Sequence, residues 1–441
     1  MHIRPVEKKT TPTTPFLSRR DKVTVVTAVS FGNFLEWYEV YLYIYWAPTL
    51  AKLFFQTSAS MNSLIYTYVV FALGFLARPL GGLFFGRLGD RLGRRTSMLL
   101  SIFSMIVPTL IIGMLPTYSQ IGLLAPCLLT LMRLLQAFPT GGELPGSMCY
   151  LYESAEPHKR ALLCSFTFSG VQLGVLVSVL ECYFLEHYLS PEQLLRFGWR
   201  ASFLVGGLFG FGGLYLRYKL HETPLFQDLV RHGQVIKKSL FYVLYEYKKE
   251  ILIASFFYIM NSSVSYWLSV NILLTFSTLF GSHTGYNILF DSLWTLFITL
   301  PLPLFGLLGQ RFGIKKILIL ATVASMLLLY PLTLTLNSPS FMGLSITVGI
   351  FSLLFSCLAA LIPYALCDLF PTYVRFTGVA ASFNFVDVFI GGFTPAIALF
   401  LFRHTGKFSV FSWILLISGI LSLIAFWKMP YKRHPFNHPT S

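Results

Sequence analysis

The chain has 441 residues, of which 55% are hydrophobic and only 12% charged, whereas an ordinary soluble domain carries about a quarter charged residues. One water-excluding core cannot hide that much apolar surface, so the composition excludes a soluble globular protein and points to a chain solvated by lipid. The net charge of +15 does not indicate nucleic acid, because the basic residues sit in short segments beside apolar runs, where they report topology.

Residues 1–22 are polar and basic and read as a cytoplasmic tail. They are not a cleavable signal: the apolar stretch that follows is longer than a signal's hydrophobic region and lacks a convincing small-residue cleavage site. Apolar runs long enough to span a bilayer, about 20 residues each, predict helices over 23–50, 61–85, 96–115, 121–150, 161–183 and 199–218. A polar, basic stretch at 219–248 reads as a cytoplasmic linker. A second set follows over 249–272, 285–308, 317–336, 341–366, 376–402 and 408–428, with 429–441 as a C-terminal tail. The expected architecture is an all-α membrane protein with twelve transmembrane helices in two six-helix bundles, 23–218 and 249–428. With both termini inside, inner segments hold 26 Lys and Arg and outer segments five, leaving Arg78 and Arg133 within the second and fourth runs. That bias predicts a multi-pass inner-membrane protein with N- and C-termini in the cytoplasm. The six cysteines have no paired or metal-type spacing and read as free buried thiols.

The two sets repeat each other. Gly86-Arg-Leu-Gly-Asp90-Arg91-Leu-Gly93-Arg94-Arg95 follows the second run, and Gly306-Leu-Leu-Gly-Gln310-Arg311-Phe-Gly313-Ile314-Lys315 follows the eighth. Glu153 and Arg160 stand seven apart after the fourth run, Asp368 and Arg375 seven apart after the tenth, each pair with a proline between. Duplicated halves imply a binding site near the midplane between them.

The loop 86–95 has glycines for a tight turn and charges able to latch two bundles on the cytoplasmic side. Its pattern resembles the signature of the major facilitator superfamily, where this loop steadies the outward-open state by pairing across helices. The resemblance implies Asp90 facing the start of helix eleven near Thr377, and Arg94 reaching Glu153. Gly86, Arg91, Gly93, Arg160, Asp368 and Arg375 complete the expected latch. The second copy departs, with Gln310 for the aspartate and Ile314 for an arginine, so its latch should be weaker. A finer resemblance, to the metabolite:proton symporter family, rests on five segments. They are Gly32-Asn33-Phe-Leu-Glu36-Trp37-Tyr38-Glu39, Arg78-Pro79-Leu80-Gly81-Gly82, Gly141-Gly142-Glu143, Glu222-Thr223-Pro224 and Phe370-Pro371-Thr372-Tyr373-Val374-Arg375. That family includes proline/betaine transporters and carriers of 2-oxoglutarate, citrate or shikimate. Tyr38-Glu39 stands where it usually shows Phe-Asp, and Ala137 where it usually shows glycine.

Glu36 lies fourteen residues past Lys22, about 21 Å along a helix and so near the midplane, with Glu39 one turn further on the same face. A charge at that depth costs about 2.5–3.5 kcal/mol on the gentlest scale, so such residues line cavities and pair. Two carboxyls one turn apart resist ionising together. This suits Glu36 and Glu39 to proton coupling, with Arg133, the one base clearly at depth, as their partner; a static ion pair is the alternative. Arg133, Trp37, Tyr41, Glu143, Asn261, Asn384 and Asp387 are the candidate substrate-binding residues. Trp37 and Tyr41 offer aromatic faces to a quaternary ammonium, while Asn261 and Asn384 offer a second wall from the other half. Glu181 and Asp291 sit close enough to the outer face to be solvated. The chain has no phosphate-cradling, His-Glu-x-x-His or Gly-x-Ser-x-Gly motif, so neither an enzyme nor a cofactor is expected.

The sequence therefore predicts a monomeric proton-coupled symporter that imports a small polar metabolite by alternating access. Its partners are the substrate, protons and the lipid bilayer, not nucleic acid. Acids outnumber Arg133, which favours a zwitterionic osmolyte such as proline or betaine. A di- or tricarboxylate symporter and a transport-inactive membrane sensor are the alternatives.

Overall fold

A computed structural model describes residues 19–55, 60–236, 238–280, 285–337, 341–392 and 410–429. Most of both expected tails and the stretch 393–402 of the eleventh run lie outside the described residues. Among the described residues every regular element is helical. The first six runs become α1 (Arg19–Phe54), α2 (Ser60–Leu92), α3 (Arg94–Met114), α4 (Leu124–Ser154), α5 (Arg160–Tyr188) and α6 (Trp199–Tyr218). The stretch 219–248 is not plain coil: it holds α7 (Pro224–Arg231) and α8 (Leu240–Glu246). The second set opens with α9 (Lys248–Phe280). The eighth run is split into α10 (Gly285–Thr299) and α11 (Leu302–Phe312) at Pro301, and α12 (Ile314–Asn337), α13 (Phe341–Leu369), α14 (Arg375–Val386) and α15 (Val410–Lys428) follow.

The helices pack as lipid-solvated helices do, small residues inward and large apolar ones outward. On α6, Gly207, Gly210 and Gly213 meet Leu110, Ile106 and Ile102 of α3 so closely that a Cβ would lie 2.2, 2.4 and 2.8 Å from them. Leu208 and Phe211 on the opposite face are exposed. A Cβ on Gly170 or Gly174 of α5 would fall 2.2 Å from the carbonyl oxygens of Ser30 and Phe34 on α1, so these glycines serve helix packing. Five of the described helical segments are long and apolar enough to cross a membrane by length and composition. The largest apolar cluster joins the halves, with Met148 and Phe168 of the first set against Phe355, Leu361 and Phe376 of the second.

The expected loop 86–95 is a correction. Helix α2 runs through it to Leu92 and α3 starts at Arg94, so Gly93 alone breaks the chain. Its φ of 106° and ψ of 152° belong to a region essentially reserved for glycine. Gly313, with φ 99°, makes the same break between α11 and α12. A Cβ on Gly93 would also stand 2.2 Å from Glu222 Oε2. That carboxylate accepts the Arg94 and Arg95 backbone N–H groups at 3.0 and 3.1 Å and so caps α3. Gly93→Ala is therefore expected to cost about 1–3 kcal/mol, read as a lower melting temperature in detergent. Gly212→Ala is the control, since nothing lies within 4 Å of its would-be Cβ; equal melting of the two variants would contradict the strain.

Candidate functional site

Helices α1, α2 and α4 form a narrow cleft lined by Glu36, Glu39, Phe71, Arg78, Arg133 and Gln136, among others. Glu39 accepts a hydrogen bond from Gln136 Nε2 at 2.7 Å, and Arg133 Nη1 donates to Gln136 Oε1 at 2.6 Å. The amide thus stands between the acid and the arginine expected to pair with it. The Arg133 guanidinium lies 4.6 Å from the Tyr43 ring centroid and 5.2 Å from that of Phe71.

The base nearest Glu36 is Arg78, which the sequence reading left out of the cavity. Arg78 Nη2 is 3.9 Å from Glu36 Oε1, and Nη1 is 3.9 Å from Asp387 Oδ2. All three side chains are buried. Asp387 is held on its other oxygen by the Tyr258 hydroxyl at 2.9 Å. It begins a π-helical turn, Asp387–Gly392, where the α-helical course of α14 ends. Trp37 and Tyr41 stand together, rings 6.4 Å apart, and Arg78 lies 6.0 Å from the Trp37 ring. A signal for Arg78 existed: an arginine well inside an apolar run meets the same depth argument as Arg133.

Trp37, Tyr41 and Asp387 are not among the cleft-lining residues either but stand beside them, Trp37 and Asp387 next to Arg78 and Tyr41 next to Trp37, and three further candidates fall elsewhere. Glu143 lies outside the cleft lining, ion-paired to Arg217 and accepting from Ser101 Oγ at 2.6 Å. Asn384 donates to the Gly141 carbonyl at 2.7 Å and so ties α14 to α4 rather than lining the cleft. Asn261 is buried away from the cleft lining. Glu181 is not simply solvated, because the Tyr38 hydroxyl donates to it; the side chain of Asp291 lies outside what is described.

At the end of the bundle carrying residue 90, the expected latch residues meet. Asp90 accepts from the Phe376 and Thr377 backbone N–H groups at 3.2 and 2.9 Å and from the Thr377 hydroxyl at 2.7 Å. Only a glycine at 86 lets α2 come so close, since its Cβ would fall 2.9 Å from Thr377 Cα. Arg94 Nε lies 2.9 Å from Glu153 Oε2, and Arg375 Nη1 lies 2.6 Å from Glu153 Oε1. The repeated Glu–Arg and Asp–Arg spacings do not pair within each half. Glu153 of the first half takes Arg375 of the second, while Asp368 accepts from the Tyr152 hydroxyl at 2.5 Å, with Arg160 over the Tyr152 ring at 4.4 Å. Arg91 is exposed, 3.5 Å from the Lys238 carbonyl. Gln310, the departure in the second copy, has a buried Nε2 with no partner among the described residues. Beneath the latch, Cys149 and Cys367 face each other across the halves with sulfurs 4.0 Å apart. Outside the membrane, hydrogen bonds from Lys22 and then Lys159 hold the Glu156 carboxyl down to about 2. That contribution is complete above about 4.5 and lost only as pH falls through about 2.

The model of the sugar (and other) transporter family matches residues 25–241. A Staphylococcus aureus (strain COL) protein, provisionally named a proline/betaine transporter, is 33% identical over 396 residues, covering 88% of this chain and 84% of that one. The proline/betaine transporter of Salmonella typhimurium is 31% identical over 414 residues, covering 90% and 81%. The chain belongs to the major facilitator superfamily. The superfamily proton:xylose symporter XylE superposes with a TM-score of 0.73 at 17% identity, covering 92% of this chain and 95% of that one. A D-xylose-proton symporter does so with a TM-score of 0.64 at 20% identity, covering 93% and 98%. These likenesses carry the fold: a multi-pass, all-α membrane protein of the twelve-helix major facilitator type. Within that superfamily fold, the Asp90, Arg94 and Glu153 contacts join the two sets of helices, whereas the cleft is lined by the first set alone, with Asp387 of the second set 3.9 Å from Arg78.

Proposed function

We propose that this chain is a proton-coupled symporter that imports a zwitterionic osmolyte of the proline or betaine kind by alternating access. The carrying observation is the cleft itself, in which carboxyls and guanidiniums face one another between aromatic rings; a ligand bearing both charges complements such a lining. The names of the relatives support the same substrate class. Glu36 and Glu39 serve as proton-carrying groups, and Trp37 and Tyr41 receive the substrate's cation. Asp90, Arg94, Glu153 and Arg375 latch the cytoplasmic ends while the outer side is open. The halves 23–218 and 249–428 rock against each other, with the cleft on the first half beside Asp387 of the second, joined by the linker 219–248, with both termini cytoplasmic in the inner membrane. A single chain with no cofactor suffices, and no catalysis is involved.

A second reading, symport of a di- or tricarboxylate, gains from Arg78, since such a substrate needs several cations. It is disfavoured because three acids, Glu36, Glu39 and Asp387, outnumber Arg78 and Arg133. Proteoliposomes decide between these readings and a transport-inactive sensor. Labelled proline or glycine betaine is expected to accumulate under an inward proton gradient and to leave on addition of a protonophore. Accumulation of 2-oxoglutarate or citrate instead would favour the second reading; no uptake of any of the four would overturn symport.

A further inference from the structure

We infer that Arg78 binds the carboxylate of the transported zwitterion, and that this carboxylate displaces Asp387, which then carries the coupled proton. The inference rests on the symport reading above and deepens it, moving the coupled proton from Glu36 and Glu39 to Asp387.

The ties of Arg78 to its two acids are loose. Both are 3.9 Å, beyond hydrogen-bond range. A buried guanidinium held by such ties and by the face of the Phe75 ring, 4.4 Å away, retains its fork of donors for a planar carboxylate. Two neighbouring atoms point to the rest of the ligand. Glu36 Oε2 and Trp37 Nε1 are buried with no hydrogen-bond partner among the described residues, and such atoms are costly to leave unmet. A zwitterion seated with its carboxylate on Arg78 brings its nitrogen toward the free Glu36 oxygen and the Trp37 ring, where a cation is favoured.

Of the two acids, Asp387 is the one to leave. Glu36 and Arg78 both belong to the first half, whereas Asp387 belongs to the second, so its tie to Arg78 spans the halves and depends on their relative position. It also has somewhere to go. Tyr258 of its own half already donates to Oδ1 at 2.9 Å and retains the side chain when Arg78 is taken. The groups facing Asp387 are then Tyr258 and the Ser262 hydroxyl from α9, Glu36 from α1 and the Arg78 guanidinium, now satisfied by substrate. An anion that has lost its counter-charge beside a second carboxyl is expensive at this depth. Addition of one proton from the outer water to Asp387 gives the neutral acid and removes the cost. The zwitterion brings no net charge and the proton brings one, so each cycle carries one positive charge inward. The π-helical turn that starts at Asp387 gives this segment a local irregularity of the kind frequent at functional sites.

The test uses purified full-length protein in proteoliposomes with labelled glycine betaine. Asp387→Asn is expected to exchange glycine betaine more slowly than wild type, at a rate that no longer varies with pH. Its proton-driven accumulation should fall to equilibration, and Asp387→Glu should restore part of it together with the pH dependence. Exchange above that of protein-free vesicles also reports that the variant is folded. Arg78→Met is expected to weaken glycine betaine binding at least tenfold, toward the level of choline, which has the same quaternary ammonium and no carboxylate. Accumulation by Asp387→Asn equal to wild type, loss of its exchange while Asp387→Glu keeps full activity, or unchanged glycine betaine binding by Arg78→Met would each overturn the inference. If wild type itself neither binds nor exchanges glycine betaine or proline, the symport reading fails first.

Discussion

Replacing Glu153 by Gln is expected to abolish latching and, with it, accumulation of substrate. Glu153 is fully buried and is the shared counter-ion of Arg94 at 2.9 Å and Arg375 at 2.6 Å. The glutamine keeps the shape and still accepts from the Thr223 hydroxyl, which now donates to Oε2 at 2.8 Å. Two guanidiniums, one from each half, are left facing each other, with Asp90, 3.2 Å from Arg94, remaining beside them as a counter-ion. Removing one partner of a buried ionic group costs about 3–5 kcal/mol. The cost falls on the closed arrangement only, because separating the halves frees Arg375 from Arg94. The ratio of closed to open then drops by roughly two to four orders of magnitude, enough to invert a strongly one-sided equilibrium. Cys149 and Cys367 report the change directly. Both are buried under the latch, 4.0 Å apart, and become reachable from that end only when the halves part. With the exposed Cys127 replaced by Ser, their maleimide labelling is expected to rise at least a hundredfold in Glu153→Gln. Labelling at the wild-type rate with uptake intact would show that the network is packing and not a latch.

The contrast between latch and cleft marks where a one-dimensional reading reaches. The contacts of Asp90 and Arg94 were legible through the resemblance carried by a compact motif, whose glycines and charges lie within ten residues. The exchange of partners between Glu153 and Arg375, 222 residues apart, was not. Equal spacings reveal that a unit has been duplicated, but the pairing across the duplicated halves is a tertiary fact. Depth was also legible for Glu36 and Glu39, since a count along a helix gives it. Rotation about the helix axis was not, because these helices are apolar all round and carry no periodic signal to say which face turns inward. The depth of Arg78 was legible in the same way, but that it faces Glu36 and Asp387 was not. The helices α7 and α8 were missed differently. In the stretch 219–248 charge masks the short apolar groups, yet Ile236 and Val243 bury against Val374, and the Tyr247 and Tyr373 hydroxyls meet at 2.6 Å.

Arg217 and Glu143 carry the other large expected effect, and it separates structure from transport. Arg217 stands near the end of an apolar run and counted as a topology-setting base, while Glu143 counted as a substrate ligand. The two are buried together. Arg217 Nη1 donates to Glu143 Oε2 at 2.8 Å and to the Met98 carbonyl at 3.0 Å, and Nη2 pairs with Glu143 Oε1. A Cβ on Gly32 would lie 1.8 Å from Nη2, so α1 itself leaves room for the pair. Arg217→Met alone strands a carboxylate and is expected to cost about 3–5 kcal/mol, whereas removing both charges with apolar side chains is close to neutral. The half-life of monodisperse protein on heating in detergent is the measure, because unfolding of such chains is governed by rate. It should collapse in Arg217→Met and recover in Glu143→Leu/Arg217→Met; simple addition of the two single losses would rule out the coupling. The double variant then answers the remaining question. If Glu143 only holds α1, α3, α4 and α6 together, the refolded cleft is intact and glycine betaine uptake stays within a few-fold of wild type. If uptake is gone from a protein that is stable and monodisperse, Glu143 lies on the substrate or proton path after all, and the cleft extends further toward the latch than its present lining.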